Sequence, residues 1–361
     1  MQRVAEALRN VRGAVAPRAD FVPASRLAGS ELIRLGGGEM VPTPGVPELP
    51  LSPPYRSNGI GGDSLALPPA NVRVMSGVHI VTGENVVRTP AGAVVGDSVS
   101  ADRLRSLPRR RRGDTVQARA GRAAPYGAPG AGAFEGLVES LPRALLLQHP
   151  ALRSLAPISL LHTGGAPPAE AWLIRRLERR AVHVEQVESG SVIRPDTTVV
   201  PAMVTRVGAG AIPRWYRRWI DQKVVAAGDG PGPRRLLLVH GSDDPMHSLD
   251  GLRDRADEWG FVVLDTSTGH ASGVELSDGS GTSGAIWSDA DVVAALRDAD
   301  MVVGASDDAL GHAVMCRRAE IVQVGITDTI TPRVLQLAES RALPHRFVRS
   351  FHLDVVFARP D

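Results

Sequence analysis

From Asn71 onward, short valine-rich runs alternate with turn residues. Four such runs, separated by glycine, proline and polar residues, predict a small antiparallel meander. The runs are Val72–Met75, Val78–Val81, Val86–Arg88 and Ala93–Val95. The segment before them, residues 1–70, is rich in proline and glycine. We interpret that segment as loops with one short helix near Val4–Val11.

From Phe134 onward, helical and strand patterns alternate along the chain. The clearest helix is Phe134–Gln148, where apolar residues recur at helical spacing. The other predicted helices are Ala169–Arg179, Pro213–Val225, Leu249–Trp259, Asp289–Asp298, Ala309–Arg318 and Pro332–Ala342. The predicted strands are Pro157–Leu161, His183–Val187, Thr197–Val204, Arg235–His240, Phe261–Asp265, Met301–Val303 and Ile321–Val324. The Gly/Ser-rich stretch Thr268–Gly284 is either a lid or a long insertion, and we favour the insertion.

This order of elements predicts an α/β fold with a parallel sheet covered by helices on both faces. A linker at Gly228–Pro233 divides it. We expect a variable segment at 1–70, an N-terminal lobe at 71–227 and a Rossmann-like C-terminal lobe at 228–361. No Gly-x-Gly-x-x-Gly follows the first strand of the last part, so a dinucleotide cofactor is not indicated.

Charge is distributed unevenly. Residues 1–122 carry 17 arginines and 10 acidic residues, whereas the remainder carries 24 basic and 29 acidic residues. The run Arg109–Arg112 is interpreted as a solvated loop, with a contact to anionic lipid or polymer as the alternative. No aromatic residues lie between these arginines, and the second half lacks a basic bias, so no nucleic-acid partner is expected.

Targeting signals are not apparent in the sequence. No apolar run approaches the ~20 residues of a membrane span, and Met1–Pro17 lacks the apolar core of a signal peptide. A single cysteine, Cys316, excludes an internal disulfide and a cysteine-rich zinc site. We therefore expect a cytoplasmic protein without a metal or cofactor.

Two turns repeat a Ser-Asp-Asp triplet between a strand and a helix. The first spans His240–Pro245 and the second spans Gly304–Ala309. One interpretation is helix capping, because serine and aspartate accept hydrogen bonds from the free amides of a helix start. The other is that four carboxylates meet at one ligand-binding edge, since the carboxyl ends of parallel strands lie together. Four acids there would repel a bare diphosphate, so the edge would hold a divalent cation such as Mg²⁺ or Mn²⁺, a neutral ligand, or no phosphate at all.

A pair of glutamates opens the helix that begins at Phe134. Glu135 and Glu139 are four residues apart and therefore share a helix face. A partly desolvated acid in such a pair has a raised pKa and can act as a base. The alternative is structural: Glu135 interacts with the helix dipole, and Glu139 pairs with Arg143.

The segment containing this pair resembles glycosyltransferase family 61, which includes bacterial capsular-polysaccharide proteins and plant xylan-decorating enzymes. That family has a Tyr-His-x-Leu-x-Glu/Asp-x-Leu-Pro-Arg helix, which Glu135–Arg143 matches in its apolar frame. Gly260-Phe261 matches a later Gly-Phe, and Gly304 and Leu310 match the last motif. The polar positions differ. Glu135 replaces a histidine, Gly241 and His247 replace two arginines, and Asp307 and Asp308 enter a glycine-rich turn.

The resemblance implies a fold of the GT-B type, with two Rossmann-like lobes and a β-rich lead-in. It also implies metal-independent, inverting transfer from a nucleotide-sugar donor to a glycan acceptor. Glu139 would be the base, with Glu135 beside it. The residues implied in substrate or donor binding are Arg143, His240, Gly241, Ser242, His247, Gly304, Ser306, Asp307, Asp308 and His312. Because the arginines are replaced, a non-catalytic relative that binds a glycan or a partner protein is the alternative.

Overall fold

The computed structural model presents a mixed α/β protein. It describes residues 21–42, 64–96, 115–127, 132–178, 181–205, 209–228, 234–248, 252–275, 282–326 and 332–350. The predicted helix at Val4–Val11, the run Arg109–Arg112 and most of the linker at Gly228–Pro233 lie outside these residues. None of the helices among the described residues has the length and apolar character required to cross a membrane.

The first sheet contains ten strands, and a separate two-stranded ribbon accompanies it. The strands in chain order are β1 (Phe21–Val22), β2 (Glu31–Arg34), β3 (Glu39–Pro42), β4 (Ser64–Leu67), β5 (Asn71–Met75), β6 (His79–Val81), β7 (Val86–Arg88), β8 (Val94–Val95), β9 (Val116–Pro125), β10 (Ile158–His162), β11 (Val182–Gln186) and β12 (Val192–Pro201). The ribbon is β3 with β4. The main path of the sheet is β1-β8-β7-β6-β12-β9-β10-β11, and β5 joins β12 to β2.

This sheet combines two patterns. Strands β12, β9, β10 and β11 are parallel neighbours, whereas β5, β6 and β7 form antiparallel pairs. The last three runs of the predicted meander pair in sequence as β6, β7 and β8, whereas the first run, β5, pairs with β2 and β12 instead of β6, so the prediction was correct only in part. The parallel part brings the carboxyl ends of β9 and β10 to one edge, where ligands bind in α/β proteins.

The helix after β9 has an irregular centre. It consists of α1 (Ala133–Glu135), a π-helical turn (Gly136–Ser140) and α2 (Leu141–Leu146). Its apolar stripe is buried, as its periodicity predicts. A π-helical turn disturbs the regular backbone bonding, and here the Leu137 carbonyl accepts a hydrogen bond of 2.5 Å from Tyr216 Oη. Two further helices belong to this half, α3 (Pro168–Arg175) and α4 (Arg214–Val224).

The second sheet contains seven strands. They are β13 (Arg235–Val239), β14 (Val262–Asp265), β15 (His270–Glu275), β16 (Thr282–Ile286), β17 (Met301–Gly304), β18 (Glu320–Gly325) and β19 (His345–Arg349). Their order is β16-β15-β14-β13-β17-β18-β19. The five strands β14-β13-β17-β18-β19 are parallel, which confirms the predicted parallel arrangement, and β15 and β16 extend the sheet as antiparallel strands beside β14. The helices of this half are α5 (Leu252–Glu258), α6 (Asp289–Asp298), α7 (Asp307–Leu310) and α8 (Arg333–Arg341).

Several predictions of local structure were wrong. The segment Thr268–Gly284, predicted as a loop, contributes to the antiparallel strands β15 and β16. That prediction failed because the glycines and serines of the segment obscure the alternation of apolar and polar residues that is typical of a strand. The supposed loops of residues 1–70 include β1 to β4. The two arginines of β9, Arg119 and Arg122, are partly buried, and Arg119 pairs with Glu185 of β11, so the basic stretch that reads as a surface loop includes part of a strand. The predicted helix Ala309–Arg318 is the short α7 followed by a 3₁₀ helix, Gly311–Met315.

The two sheets share one buried core. Phe134 of α1 belongs to the same cluster as Leu310 and Val314 of the second half. A Cβ atom on Gly311 would lie 2.9 Å from the Phe134 Cα, so only glycine permits this approach. The start of the helix after β9 therefore packs directly on the turn after β17, and this contact positions the site.

Candidate functional site

The two Ser-Asp-Asp turns meet at one edge of the second sheet. Ser306 Oγ donates a hydrogen bond of 2.6 Å to Asp244 Oδ2. The same carboxylate accepts bonds of 2.9 Å from the backbone amides of His240 and Met246. The predicted convergence of the two turns is thus present. Asp244 is buried and bonded to protein groups, which leaves it a structural role in joining the turns.

The acids of the second turn also bond to protein groups. Ser306 caps α7 by accepting a bond of 3.1 Å from the Ala309 amide. Asp308 Oδ1 accepts a bond of 2.9 Å from the Phe134 amide, across the contact between the halves. Ser306 and Asp308 therefore cap helix starts, as the capping interpretation predicts, and do not form a carboxylate cluster for a ligand. Among the described residues, no group of three or more His, Cys, Asp or Glu side chains could hold a metal ion.

The glutamates on which the sequence focuses are buried against an arginine. Arg333 Nη2 lies 2.6 Å from Glu135 Oε1 and 3.9 Å from Glu139 Oε1, while Nη1 lies 3.6 Å from Asp307. The Arg333 guanidinium also lies 4.0 Å from the centre of the Phe134 ring. Glu139 is only 2% exposed. Glu135 and Glu139 therefore join the two halves, and neither lines the cavity at the edges of the two sheets that is described below, contrary to expectation.

Arg143 has a similar structural position. Its Nε and Nη2 atoms donate bonds of 3.1 and 3.0 Å to the Pro201 carbonyl at the end of β12. The side chain is buried and lies outside the cavity lining. The Leu-Pro-Arg segment therefore anchors the helix to the first sheet. This corrects the expectation that Arg143 lies where substrate binds.

The remaining residues of the predicted donor site lie around the β13 and β17 turns. Ser242 and His247 are exposed, and His247 Nε2 lies 3.0 Å from the Gly241 carbonyl. The Gly241 amide donates to Asp265 Oδ1 at 3.1 Å. Gly304 packs against Leu310: a Cβ atom added to Gly304 would lie 3.0 Å from the Leu310 Cγ atom. None of these four predicted residues lines the cavity described next.

A cavity of about 330 Å³ lies where the carboxyl ends of β9, β10 and β13 approach each other. Its polar side chains include Asn85, Tyr126, Ser140, His162, Glu170 and His240. His240 alone among them was predicted as a site residue, and it alone comes from the second sheet. Among the described residues, the lining includes no arginine or lysine. The cavity is thus polar and glycine-rich, with a carboxylate as its acidic group.

Glu170 is the chemically distinctive group in this cavity. It lies in the first turn of α3, is only 5% exposed, and its Oε1 accepts a bond of 2.5 Å from Tyr126 Oη. Burial raises the pKa of Glu170 to about 7, and the bond from Tyr126 lowers it in part. Burial and the neighbouring Glu170 hold the Tyr126 pKa well above its usual value, so the phenol remains a donor.

Backbone geometry makes room for this carboxylate. A Cβ atom on Gly136 would lie 2.3 Å from Glu170 Oε2, so any larger residue at this point of the π-helical turn would displace the carboxyl group. His162 packs edge-on against Tyr126, with ring centres 5.1 Å apart. Burial lowers the pKa of His162, and its Nδ1 accepts a bond of 2.9 Å from the Gly164 amide. Neutral His162 therefore carries its proton on Nε2.

His312 lies behind the cavity rather than in its lining. The ring is fully buried, and Nδ1 lies 3.1 Å from the carbonyls of both Asp308 and Ala309. Burial, reinforced by the nearby His240, lowers the His312 pKa to about 4. The ring centres of His312 and His240 are 6.2 Å apart. His312 thus supports His240 from behind, in place of the direct ligand contact that was expected.

We predict that His312 makes the fold sensitive to acid. A histidine with a pKa near 4 when folded and about 6.5 when unfolded favours unfolding as pH falls from 6.5 to 4. Between pH 7 and pH 5 the free energy of unfolding should fall by about 2 kcal/mol through this group. Urea unfolding at both pH values would show a smaller fall for His312→Gln. The control His270→Gln, at an exposed histidine, should show the same fall in the free energy of unfolding as the wild type. If His312→Gln also shows the wild-type fall, His312 is not the source of the acid sensitivity.

Sequence reasoning missed Glu170, Tyr126 and Arg333. Glu170 follows Pro167-Pro168 at a helix start, where an acidic residue is ordinarily a dipole partner. The signal that could have found it is its position just after a strand that ends in His162, at the carboxyl edge of a parallel sheet. No family model matches this sequence, and no curated protein matches it either.

Proposed function

We propose that the protein is a glycosyltransferase that moves a sugar from a nucleotide-sugar donor to a glycan acceptor with inversion. The observation that carries this proposal is Glu170, a buried carboxyl with a pKa of about 7 in a cavity between two sheet edges. A general base is most effective when its pKa lies near the working pH. Glu170 therefore takes the role that the sequence resemblance gave to Glu139.

The topology of both halves supports this proposal. In the second half the parallel strands run β14-β13-β17-β18-β19, so successive connections leave β13 in opposite directions. Doubly wound sheets bind nucleotides at such a switch point, here between β13 and β17. In the first half, the carboxyl ends of the parallel strands β12, β9, β10 and β11 form a second edge at which a ligand could bind. We therefore propose two Rossmann-like lobes of the GT-B type, with the donor on the C-terminal side.

In the proposed reaction, Glu170 accepts the proton of an acceptor hydroxyl as its oxygen attacks the anomeric carbon of the donor sugar. The bond from that carbon to the phosphate oxygen breaks, and the nucleoside diphosphate leaves. Tyr126 holds the carboxylate oriented through its 2.5 Å bond. Positioning the hydroxyl and the anomeric carbon within reach of each other supplies much of the acceleration. Surface-polysaccharide assembly, including capsule biosynthesis, is the setting that the sequence resemblance suggests.

A non-catalytic glycan-binding protein is the second candidate. What favours it is the chemistry of the cavity lining, which among the described residues offers no arginine or lysine to a diphosphate. Asp244 and Asp308, which the switch-point turns contribute, bond to backbone and serine groups of the protein. A neutral glycan requires no cationic side chain, so this candidate fits the lining as well.

Thermal unfolding with UDP-, GDP- and CMP-sugars, with and without Mg²⁺, distinguishes the two candidates. A donor at 100 times its dissociation constant should add about 2.7 kcal/mol of stability. The glycosyltransferase proposal expects stabilisation by one nucleotide class without a requirement for metal. Stabilisation by oligosaccharides alone would support the binding protein. No stabilisation by any donor would contradict the glycosyltransferase.

A further inference from the structure

His240 brings the second sheet into the cavity through a defined hydrogen-bond chain. It follows β13 directly, and its Nδ1 lies 2.9 Å from Thr266 Oγ1. Thr266 Oγ1 lies 3.1 Å from the Val239 carbonyl, which can only accept a hydrogen bond. The single hydroxyl proton of Thr266 is therefore donated to Val239. It follows that Nδ1 of His240 donates its own proton to Thr266.

This chain of hydrogen bonds determines the tautomer of the His240 ring. Because Nδ1 carries the proton, Nε2 carries a lone pair and can only accept. His240 lines the cavity and its Nδ1 is occupied by Thr266, so Nε2 is the ring nitrogen that remains for a bond to a ligand there. The second half thus presents a hydrogen-bond acceptor to the cavity at the end of β13. This chain of residues was not visible in the sequence, since Thr266 lies 26 positions beyond His240.

The groups around the cavity select a ligand that donates hydrogen bonds. Glu170 contributes a carboxyl, and His240 contributes an imidazole lone pair. The buried ring of His312 behind His240 is neutral, because its pKa is lowered to about 4. An anion would meet two acceptors here, whereas a sugar offers several hydroxyl donors and no net charge.

We propose that His240 is a specificity-determining residue that accepts a hydrogen bond from a hydroxyl of an uncharged sugar. Thr266 is its positioning residue, because it fixes the tautomer without touching the ligand. The inference rests on the proposed function in placing a sugar in this cavity. It goes further in naming the atom that recognises the sugar and in excluding the donor diphosphate from this part of the site.

The tautomer is measured by ¹⁵N NMR of protein labelled at its histidine rings, with His240 assigned by comparison with His240→Phe. The wild type at pH 8 should show His240 protonated on Nδ1. Thr266→Val preserves the shape of the side chain and removes the acceptor, so the resonances should move toward a mixture of tautomers. A His240 ring protonated on Nε2 in the wild type, or an unchanged spectrum in Thr266→Val, would overturn the proposal.

Ligand class is tested by titrating the labelled protein with glucose, galactose, N-acetylglucosamine and xylose, and separately with inorganic pyrophosphate. At least one sugar should shift the Nε2 resonance, and pyrophosphate should not. The affinity for that sugar should fall about tenfold in His240→Phe and stay within twofold in His183→Phe, an exposed histidine on β11. No response to any of the four sugars, or a response to pyrophosphate, would refute the assignment.

The two proposals fail in different ways. A sugar response at Nε2 in a protein whose transfer survives Glu170→Gln would keep this inference and reject Glu170 as the base. Loss of transfer in Glu170→Gln without any sugar response at Nε2 would keep Glu170 as the base and reject the inference about His240.

Discussion

Replacing Glu170 by glutamine is expected to remove sugar transfer while making the fold more stable at alkaline pH. Glutamine cannot accept the hydroxyl proton, and general base catalysis typically contributes 10²–10⁴-fold to a rate. The amide still fits beside Tyr126 and Gly136, so the packing is retained. The variant also removes the cost of ionising a buried carboxyl. A site residue that opposes stability in this way is expected where function has been selected.

The sign of the stability effect follows from the raised pKa. Glu170 titrates near 7 in the folded protein and near 4.5 when unfolded, so its contribution to stability is present below 4.5 and lost as pH rises through 7. From pH 5 to pH 8, Glu170→Gln should gain about 2.5 kcal/mol relative to the wild type. Urea unfolding at the two pH values measures this gain. The matched substitution at the exposed Glu178 should show no gain, and equal pH dependence in Glu170→Gln and wild type would contradict the account.

Replacing Arg333 by leucine is expected to cost 3–5 kcal/mol of folding stability. Arg333 is 9% exposed and lies within 4 Å of carboxylate oxygens on Glu135, Glu139 and Asp307. Removing one member of a buried ionic group leaves charge without compensation, which typically costs about 3–5 kcal/mol. Because the cluster joins α1 and the π-helical turn to α8, the contact between the halves should weaken with it.

Chemical denaturation of three variants tests this prediction. Arg234→Ala, which breaks an exposed pair with Asp300 at 3.4 Å, should cost about 0–1 kcal/mol and serves as the control. Replacing Arg333, Glu135 and Glu139 together by apolar residues should recover much of the loss, since an apolar set of similar volume avoids the buried charges. A loss below about 1 kcal/mol in Arg333→Leu would show that the cluster does not hold the halves together.

The regular parts of the fold were predictable because their patterns are local. Apolar spacing identified the helix from Phe134, and the strand–helix alternation predicted the parallel sheet that contains β13 and β17. The rule that carboxyl ends of parallel strands share an edge also placed Asp244 and Ser306 together. The π-helical turn was not predictable, since the sequence GLVES has no distinguishing period. Its geometry depends on tertiary partners such as Tyr216.

The site was harder to predict because its partners are distant in the chain. Arg333 reaches Glu135 across 198 positions, and no local pattern distinguishes it from the other arginines. Glu135 and Glu139 were predicted as site residues from their spacing, and that spacing gives no information about Arg333, which neutralises them. Glu170 acquires its raised pKa only through burial in the folded protein, where Gly136 and Tyr126, 44 positions away, lie against it and the bond from Tyr126 lowers the pKa in part. Burial, which no sequence pattern states directly, separates the candidate base from the structural acids.

The acids that replace polar positions of the family resemblance have a structural explanation in this chain. Asp308 bonds to the Phe134 amide, and Asp307 lies 3.6 Å from Arg333, so both acids connect the β17 turn with neighbouring elements. Asp308 thus strengthens the contact between the halves, and Asp307 connects α7 with α8 within the second half. The cavity retains Glu170 and His240 as the groups that face a ligand.

The pH dependence of the transfer rate tests the central claim most directly. It is measured under saturating conditions with the nucleotide sugar that stabilises the protein and a matching acceptor. If Glu170 is the base, the wild-type rate should rise with pH through an apparent pKa near 7, and the residual rate of Glu170→Gln should not show that rise. A wild-type rate that already levels off near pH 5, or full activity in Glu170→Gln, would contradict the assignment of this cavity as the catalytic site.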